Sequence, residues 1–311
     1  MQFTLRHLEV FVAIAARENV SAGAEAIAMS QSAASTALAE LERRCGRPLF
    51  DRSAKRLRLN ETGRMLLPRA IDLLDRASEL DAVLGGRGGP GPLRLGATVT
   101  VGNHLAPALI ERYRALGAEA RIDLAIDNMN AIAARVLAHD LDLGLIEGDY
   151  QDPDLIVGDW LDDELAVFCA PGHRLAARGA CTIDEALAEA WVVREQGSGT
   201  RQTLDRAMGP YWSRWRIGAE FNQIEAIKSA VAAGTMIGCV SRLALADAFA
   251  AGRLVPLEVT GLSLRRRLYT IVRRGRFETA GMTALLGLCR AMAEERAVCL
   301  ASRAGKRGSG G

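Results

Sequence analysis

Residues 21–41, SAGAEAIAMSQSAASTALAEL, decide how the first part of this chain folds. The stretch reads as two short helices joined by a tight turn. Ser21 can cap the first, whose apolar positions include Ala24, Ile27 and Ala28. Ser30 can cap the second, where Ala34, Ala37, Leu38 and Leu41 recur at helical spacing and face inward. Gln31, Ser32, Ser35 and Thr36 are left near the outer face. Alanine keeps this second helix slim. A slim helix carrying small polar groups suits a duplex major groove. There Gln31 can offer adenine a donor and an acceptor, and the hydroxyls of Ser30, Ser32, Ser35 and Thr36 can reach base edges or phosphates.

On the N-terminal side, Leu5, Leu8, Phe11, Val12 and Ala15 give an amphipathic first helix. On the C-terminal side comes a basic run: Arg43, Arg44, Arg47, Arg52, Lys55, Arg56 and Arg58, against Asp51. Leu49-Phe50 and Leu57–Leu59 flank a polar tip, Ser53-Ala54-Lys55-Arg56, which suits a small β-hairpin wing. Lys55 and Arg56 at the tip are expected to meet the DNA backbone or minor groove. Arg52 can brace the wing or touch DNA, and Arg43 and Arg44 can equally be a solvated face. The 311-residue chain has a net charge of only +2. Residues 1–60, however, hold nine Arg/Lys against six Asp/Glu, so positive charge is concentrated where phosphates would be met.

A long helix is expected over about 62–85, with Leu66, Leu67, Ala70, Ile71, Leu73, Leu74, Ala77, Leu80 and Leu84 at 3–4 spacing. Its apolar stripe finds no obvious partner in the small N-terminal module. A second copy of itself is the natural one, and burial against the same chain is the alternative. Pro68 marks its true start or a kink. GGRGGPGP (85–92) is the clearest linker. Beyond it strands alternate with helices. Strands are expected at Leu93–Ala97, Ile122–Ile126, Asp142–Ile146, Leu165–Ala170, Trp191–Val193 and Ile237–Val240. Such alternation predicts an open α/β sheet with ligands at the carboxyl ends of its strands. The tail, Gly305–Gly311, reads as disordered.

Composition excludes several classes. Apolar residues make up 49%, enough for a sizeable core. Six scattered cysteines form no CxxC pair, so zinc and dithiol sites are unsupported. His7, His104, His139 and His173 are dispersed, with no Ser/His/Asp or metal-ligand spacing; no catalytic residue, metal or cofactor is expected. No signal peptide and no transmembrane run of about 18 apolar residues is read, so a cytoplasmic protein without membrane partners is expected.

Several segments together resemble the LysR-type transcriptional regulators: FVAIAARENVSAGAEAIAMSQSAASTALAELE (11–42), GRPLFDR (46–52), LNETGR (59–64), DLDLGLIEG (140–148), REQGSGTR (194–201) and AIKSAVAAGTMIGCVSR (226–242). The resemblance implies a multi-domain protein that binds promoter DNA as a homodimer or homotetramer. It implies a winged helix-turn-helix DNA-binding domain (1–60), and a dimerisation linker helix with a Gly-rich hinge (61–92). A two-lobed α/β effector domain, like periplasmic binding proteins, would follow at 93–301, and a disordered tail at 302–311. Lobe I would be 93–168 and 270–300, lobe II 169–269, with the chain crossing near Phe168–Ala170 and Tyr269–Val272.

Three strand-to-helix loops then become candidate effector contacts: Thr98, Val99 and Thr100; Asn128; and Ser198, Gly199 and Thr200. Each pairs hydroxyls or amides with unpaired N–H groups at a helix start, which attract anions. Gln223 precedes a helix at 224–233 and can complete the pocket. Glu147 ends a strand and can take a cationic group or fix a loop. The expected function is a DNA-binding regulator whose inter-lobe cleft binds a small anionic effector. Two alternatives are a redox-responsive regulator acting through a cysteine such as Cys239, and an architectural DNA-binding protein without a ligand.

Overall fold

The computed structural model describes residues 3–53, 56–85 and 89–308, with side chains 52–56 and 299–308 outside the description. The chain divides into two compact units, one of residues 1–89 with 275–280, the other of residues 90–274 with 281–311.

In the first unit, α1 (Leu5–Arg17), α2 (Val20–Ala26) and α3 (Gln31–Cys45) precede a hairpin of β1 (Phe50–Ser53) and β2 (Arg56–Leu59), and then α4 (Glu61–Leu84). Helix starts follow capping chemistry. Thr4 and His7 form a reciprocal capping box on α1, Ser30 accepts from Ala33 N, and Asn60 accepts from Gly63 N. The second helix is capped by Asn19 rather than by the expected Ser21, which lies inside α2. Leu8, Phe11, Ile14, Leu38, Leu41, Leu49 and Phe50 form the core, with Phe11 and Phe50 edge to face at 5.7 Å. Burying a side chain such as Phe11 stabilises by about 1.5–3 kcal/mol.

The linker helix has partners in its own chain. Ala70 is buried in that core, and Leu66, Leu67 and Leu74 pack against it. Pro68 lies inside the helix without ending it. The 275–280 segment also lies on α4: Arg276 pairs with Asp75 at 3.1 Å, Phe277 N donates to Asp72 at 3.1 Å, and the Arg76 guanidinium sits 4.3 Å from the Phe277 ring centre. Burial against the same chain, the alternative to a second copy, thus holds for the first half of the stripe. Leu80, Val83 and Leu84, further along, stay exposed.

The second unit runs β3 (Pro92–Thr98), α5 (Val99–His104), α6 (Ala106–Arg114), β4 (Arg121–Asp127), α7 (Met129–Leu137), β5 (Leu143–Glu147) and β6 (Leu155–Cys169). It continues with β7 (Ala180–Thr182), α8 (Ile183–Leu187), β8 (Ala190–Arg194), α9 (Gly199–Met208), β9 (Arg216–Phe221) and α10 (Ile224–Ala232). Then come β10 (Ile237–Ser241), α11 (Arg242–Ala250), β11 (Val255–Thr260), β12 (Arg265–Arg273) and α12 (Ala280–Gly308). The tail expected to be disordered from 302 continues α12 to Gly308; residues 309–311 lie outside the described ones.

Strand order is β4-β3-β5-β12-β6-β10-β8-β9, with β11 on β6 and β7 on β11. The parallel strands β4, β3 and β5 make one lobe, and the parallel strands β10, β8 and β9 the other. The long antiparallel strand β6 belongs to both. Its residues 155–164 pair with β12, and from Leu165 onward it pairs with β10. The chain therefore changes lobe at Glu164/Leu165 and again at Leu264/Arg265, where Leu165 N donates to Leu264 O. Both points fall before the expected crossings near Phe168 and Tyr269. At the first crossing β6 runs through the boundary unbroken, so apolar pattern alone gives no sign of it, while β12 begins at the second. Each lobe buries apolar clusters on its sheet, and Val99 of α5 joins Phe168, Val192 and Ile224 in one of them.

Candidate functional site: an inter-lobe polar cleft and a recognition helix

On α3, Gln31, Ser32, Ser35 and Thr36 are all exposed, while Ala34, Leu38 and Leu41 are buried. Ser30 Oγ is engaged as the cap and lies 3.1 Å from Ser32 Oγ. Thr36 Oγ1 donates to Ser32 O at 2.9 Å, leaving its lone pairs outward. Arg43 and Arg44 both pair with Glu40, at 2.6 Å each. Those hydrogen bonds hold the Glu40 carboxyl below its usual range. Part of the basic run is thus tied up in a surface ion-pair ladder with one net positive charge. The wing forms with Ser53 opposite Arg56. Lys55 and the side chains of Arg52 and Arg56 lie outside the described residues.

The three loops of the effector unit converge. Thr98, Thr100, Glu147, Ser198 and Thr200 are all at most 2% exposed. Thr98 Oγ1 donates to Glu147 Oε2 in a short contact. Thr100 Oγ1 donates to Glu147 Oε1 at 3.0 Å, and Thr200 Oγ1 to the same oxygen at 3.5 Å. Glu147 thus fixes loops from both lobes. Two glycines permit this approach. A Cβ on Gly199 would lie 1.8 Å from Glu147 O, so any side chain there would force the lobes apart. Gly148 sits at φ +92°, the left-handed region that favours glycine, and turns the chain away after the carboxylate.

Sequence reading missed the cation of this site. Arg266 Nη1 donates to Thr200 Oγ1 at 2.9 Å and Nη2 to Thr100 Oγ1 at 3.4 Å. Its guanidinium lies 3.7 Å from Glu147 Oε1 and 2.7 Å from Asp163 Oδ2. Ser241 Oγ completes the network by donating to Asp163 Oδ1 at 2.9 Å. Arg266 and Asp163 face each other across β12 and β6, beside the lobe crossing. The available signal was charge: Arg265-Arg266-Arg267 stand opposite Glu164, Asp163 and Asp162.

Other expected residues take different roles. Val99 is buried in an apolar cluster, so its side chain packs rather than binds. Asn128 Oδ1 caps α7 by accepting from Ala131 N at 3.0 Å, and its amide faces Gly197 across the cleft. Gln223 precedes α10, exposed, without a side-chain capping bond. Ser198 Oγ is buried with no hydrogen-bond partner, as is Arg194 Nη1 four residues earlier. Asp149 exchanges two hydrogen bonds with Gln202, at 2.8 and 2.9 Å, and pairs with Arg206 at 2.7 Å, tying the loop after Glu147 to α9. Cys239 is wholly buried, and burial pushes its thiol up to about 12. Among the described residues no group of side chains can hold a metal ion, and no helix is long and apolar enough to cross a membrane.

A helix-turn-helix with a β wing, followed by a two-lobed α/β unit with a buried polar cleft, defines the class of DNA-binding regulators that carry a ligand-binding domain. The family model for bacterial regulatory helix-turn-helix proteins of the lysR family matches residues 5–64, and that for the LysR substrate binding domain matches residues 86–294. The chain belongs to the LysR family of transcriptional regulators. It is 38% identical to YeiE of Escherichia coli (strain K12), named an uncharacterized HTH-type transcriptional regulator, over 93% of this chain and 98% of that one. A full-length point variant of OxyR from Pseudomonas aeruginosa shares the fold at a TM-score of 0.71 and 19% identity, covering 93% of this chain and 98% of OxyR. The regulatory domain of CcmR from Synechocystis PCC6803, solved in complex with 2-PG, matches at a TM-score of 0.61 and 26% identity, covering 65% of this chain and 97% of that one.

Proposed function

We propose that this regulator reads its operator through the exposed row around Gln31 on α3, and that a small anion bound between the lobes controls it. The observation that carries the effector reading is Ser198 Oγ, 2% exposed and without a partner, at the start of α9. A buried hydroxyl left unpaired costs about 1–3 kcal/mol, which a ligand's acceptor recovers. The unpaired N–H groups of the first turn of α9 favour negative charge at the same place. The bound 2-PG of CcmR, a relative at 26% identity, is in keeping with an anion.

Anion binding at Ser198 would bear on Gly199 and Thr200, and through them on Glu147, Arg266 and the hinge strands. A change in that network would alter lobe closure and the arrangement of subunits in a homo-oligomer. The protein works in the cytoplasm, on promoter DNA. Calorimetric titration of the full chain with small anions tests the effector reading. The wild type binds at least one, and Ser198→Ala weakens it about tenfold, as loss of a hydrogen bond to a charged group does. Anion binding unaffected by Ser198→Ala and Thr100→Ala excludes this pocket.

A further inference from the structure

The cleft already contains an anion of its own. The Glu147 carboxylate, 1% exposed, takes the hydroxyls of Thr98, Thr100 and Thr200, three of the donors an effector would be expected to use. The nearest cation, Arg266, is shared with a second carboxylate, Asp163, at 2.7 Å. The network of Glu147, Asp163 and Arg266 therefore holds one positive charge against two carboxylates. Ser198 Oγ, the free donor, lies in the residue before Gly199, whose backbone touches Glu147. Thr200, two residues beyond Ser198, lies 3.5 Å from Glu147 Oε1, so the start of α9, where the anion would sit, packs beside this carboxylate.

We propose that Glu147 selects the effector: the cleft accepts an oxyanion that carries its own O–H donor and rejects anions of like size and charge that can only accept. This rests on the anion reading given above and narrows its chemical class. An ionised carboxylate can only accept hydrogen bonds. A second acceptor-only anion beside it, in a buried site, adds repulsion that no donor offsets. A ligand O–H pointing at Glu147 replaces that repulsion with a short charge-assisted bond, among the strong ones in proteins. The ligand's remaining oxygens then accept from Ser198 Oγ and the first N–H groups of α9. Hydrogen-bearing oxyanions and α-hydroxy acids meet this requirement; their analogues without the hydroxyl do not.

Matched probes test it. Bicarbonate and nitrate share shape and charge and differ in the O–H; glycolate and acetate differ in the same way. Each is titrated calorimetrically into the full-length wild type, Glu147→Gln and Ser198→Ala. The wild type is expected to bind bicarbonate or glycolate about tenfold or more tightly than its partner without the hydroxyl. Glu147→Gln, whose amide donates as well as accepts, removes that preference, while Ser198→Ala weakens every binding probe alike. Equal affinity for both members of each pair in the wild type overturns the selectivity and leaves the anion reading standing. So does a preference that survives Glu147→Gln. Failure of all four probes to bind the wild type overturns both. If Glu147→Gln does not fold, the two wild-type comparisons still decide.

Discussion

At the residue scale, function depends on which polar groups are satisfied and which are not. Glu147, Arg266, Asp163 and Ser241 satisfy one another, so they are structural until something enters the cleft. Ser198 is buried and unsatisfied, which is the mark of a group waiting for a partner. The same accounting bears on redox sensing. Only the thiolate reacts, and burial pushes Cys239 up to about 12 and Cys169 up to about 11. At about pH 8 both are therefore protonated thiols as well as enclosed ones. Cys45 is exposed and its thiol is raised as well, by burial and by Glu42. Iodoacetamide at that pH, read by peptide mass spectrometry, is expected to label Cys45 in the native protein and to spare Cys239 until the chain is denatured. Rapid native labelling of Cys239 would revive the redox alternative.

At the element scale, α3 divides its faces cleanly. Ala34, Leu38 and Leu41 hold it in the module, and the exposed row from Gln31 to Thr36 is free to enter a groove. Gln31→Ala removes no buried contact, so the fold is unaffected. It is expected to weaken operator binding by about 1–3 kcal/mol, the range for one bidentate base contact. Binding to random DNA should stay as it was, since phosphates supply that affinity. Fluorescence anisotropy on operator and scrambled duplexes makes the comparison; equal losses on both would remove Gln31 from the readout. This assignment was legible in the sequence because a helix has a fixed period, so small polar residues at the right spacing must share a face. The short-range errors came from competition among caps. Asn19 and Ser21 are both good N-caps, and sequence spacing did not separate them.

At the scale of the whole molecule, the linker helix shows two kinds of surface. Its first half is held by the helix-turn-helix core, and its second half exposes Leu80 at 59%, Val83 at 75% and Leu84 at 79%. A run of apolar side chains this exposed favours a partner surface. In the proposed homo-oligomer a second copy of the chain would cover it and set two recognition helices on two half-sites. The double substitution Leu80→Glu/Val83→Glu is expected to convert the oligomer to smaller species in sedimentation velocity. Its circular dichroism should be unchanged, since neither side chain is part of the described core. An unchanged sedimentation coefficient would place the subunit contact elsewhere.

Periodicity in the sequence is enough for an amphipathic helix-turn-helix, a basic wing, a long helix, and α/β alternation with hydroxyl-bearing loops at strand ends. Those follow from neighbours three, four or two residues apart, whose geometry is local. The sequence also picks out Thr98, Thr100, Glu147, Ser198 and Thr200, because strand-to-helix loops in such sheets lie at one edge. What these residues do to one another depends on long-range packing. Arg266 reaches Thr100 and Thr200 from 166 and 66 positions away, through a cross-strand register that no local pattern encodes. The first lobe crossing was hidden for the same reason: β6 runs through it as one unbroken strand, and only its change of partner marks it. The Glu147 carboxylate, for which sequence leaves open binding a cation or fixing a loop, fixes three loop hydroxyls at once, because the fold brings two distant loops within hydrogen-bond reach of it.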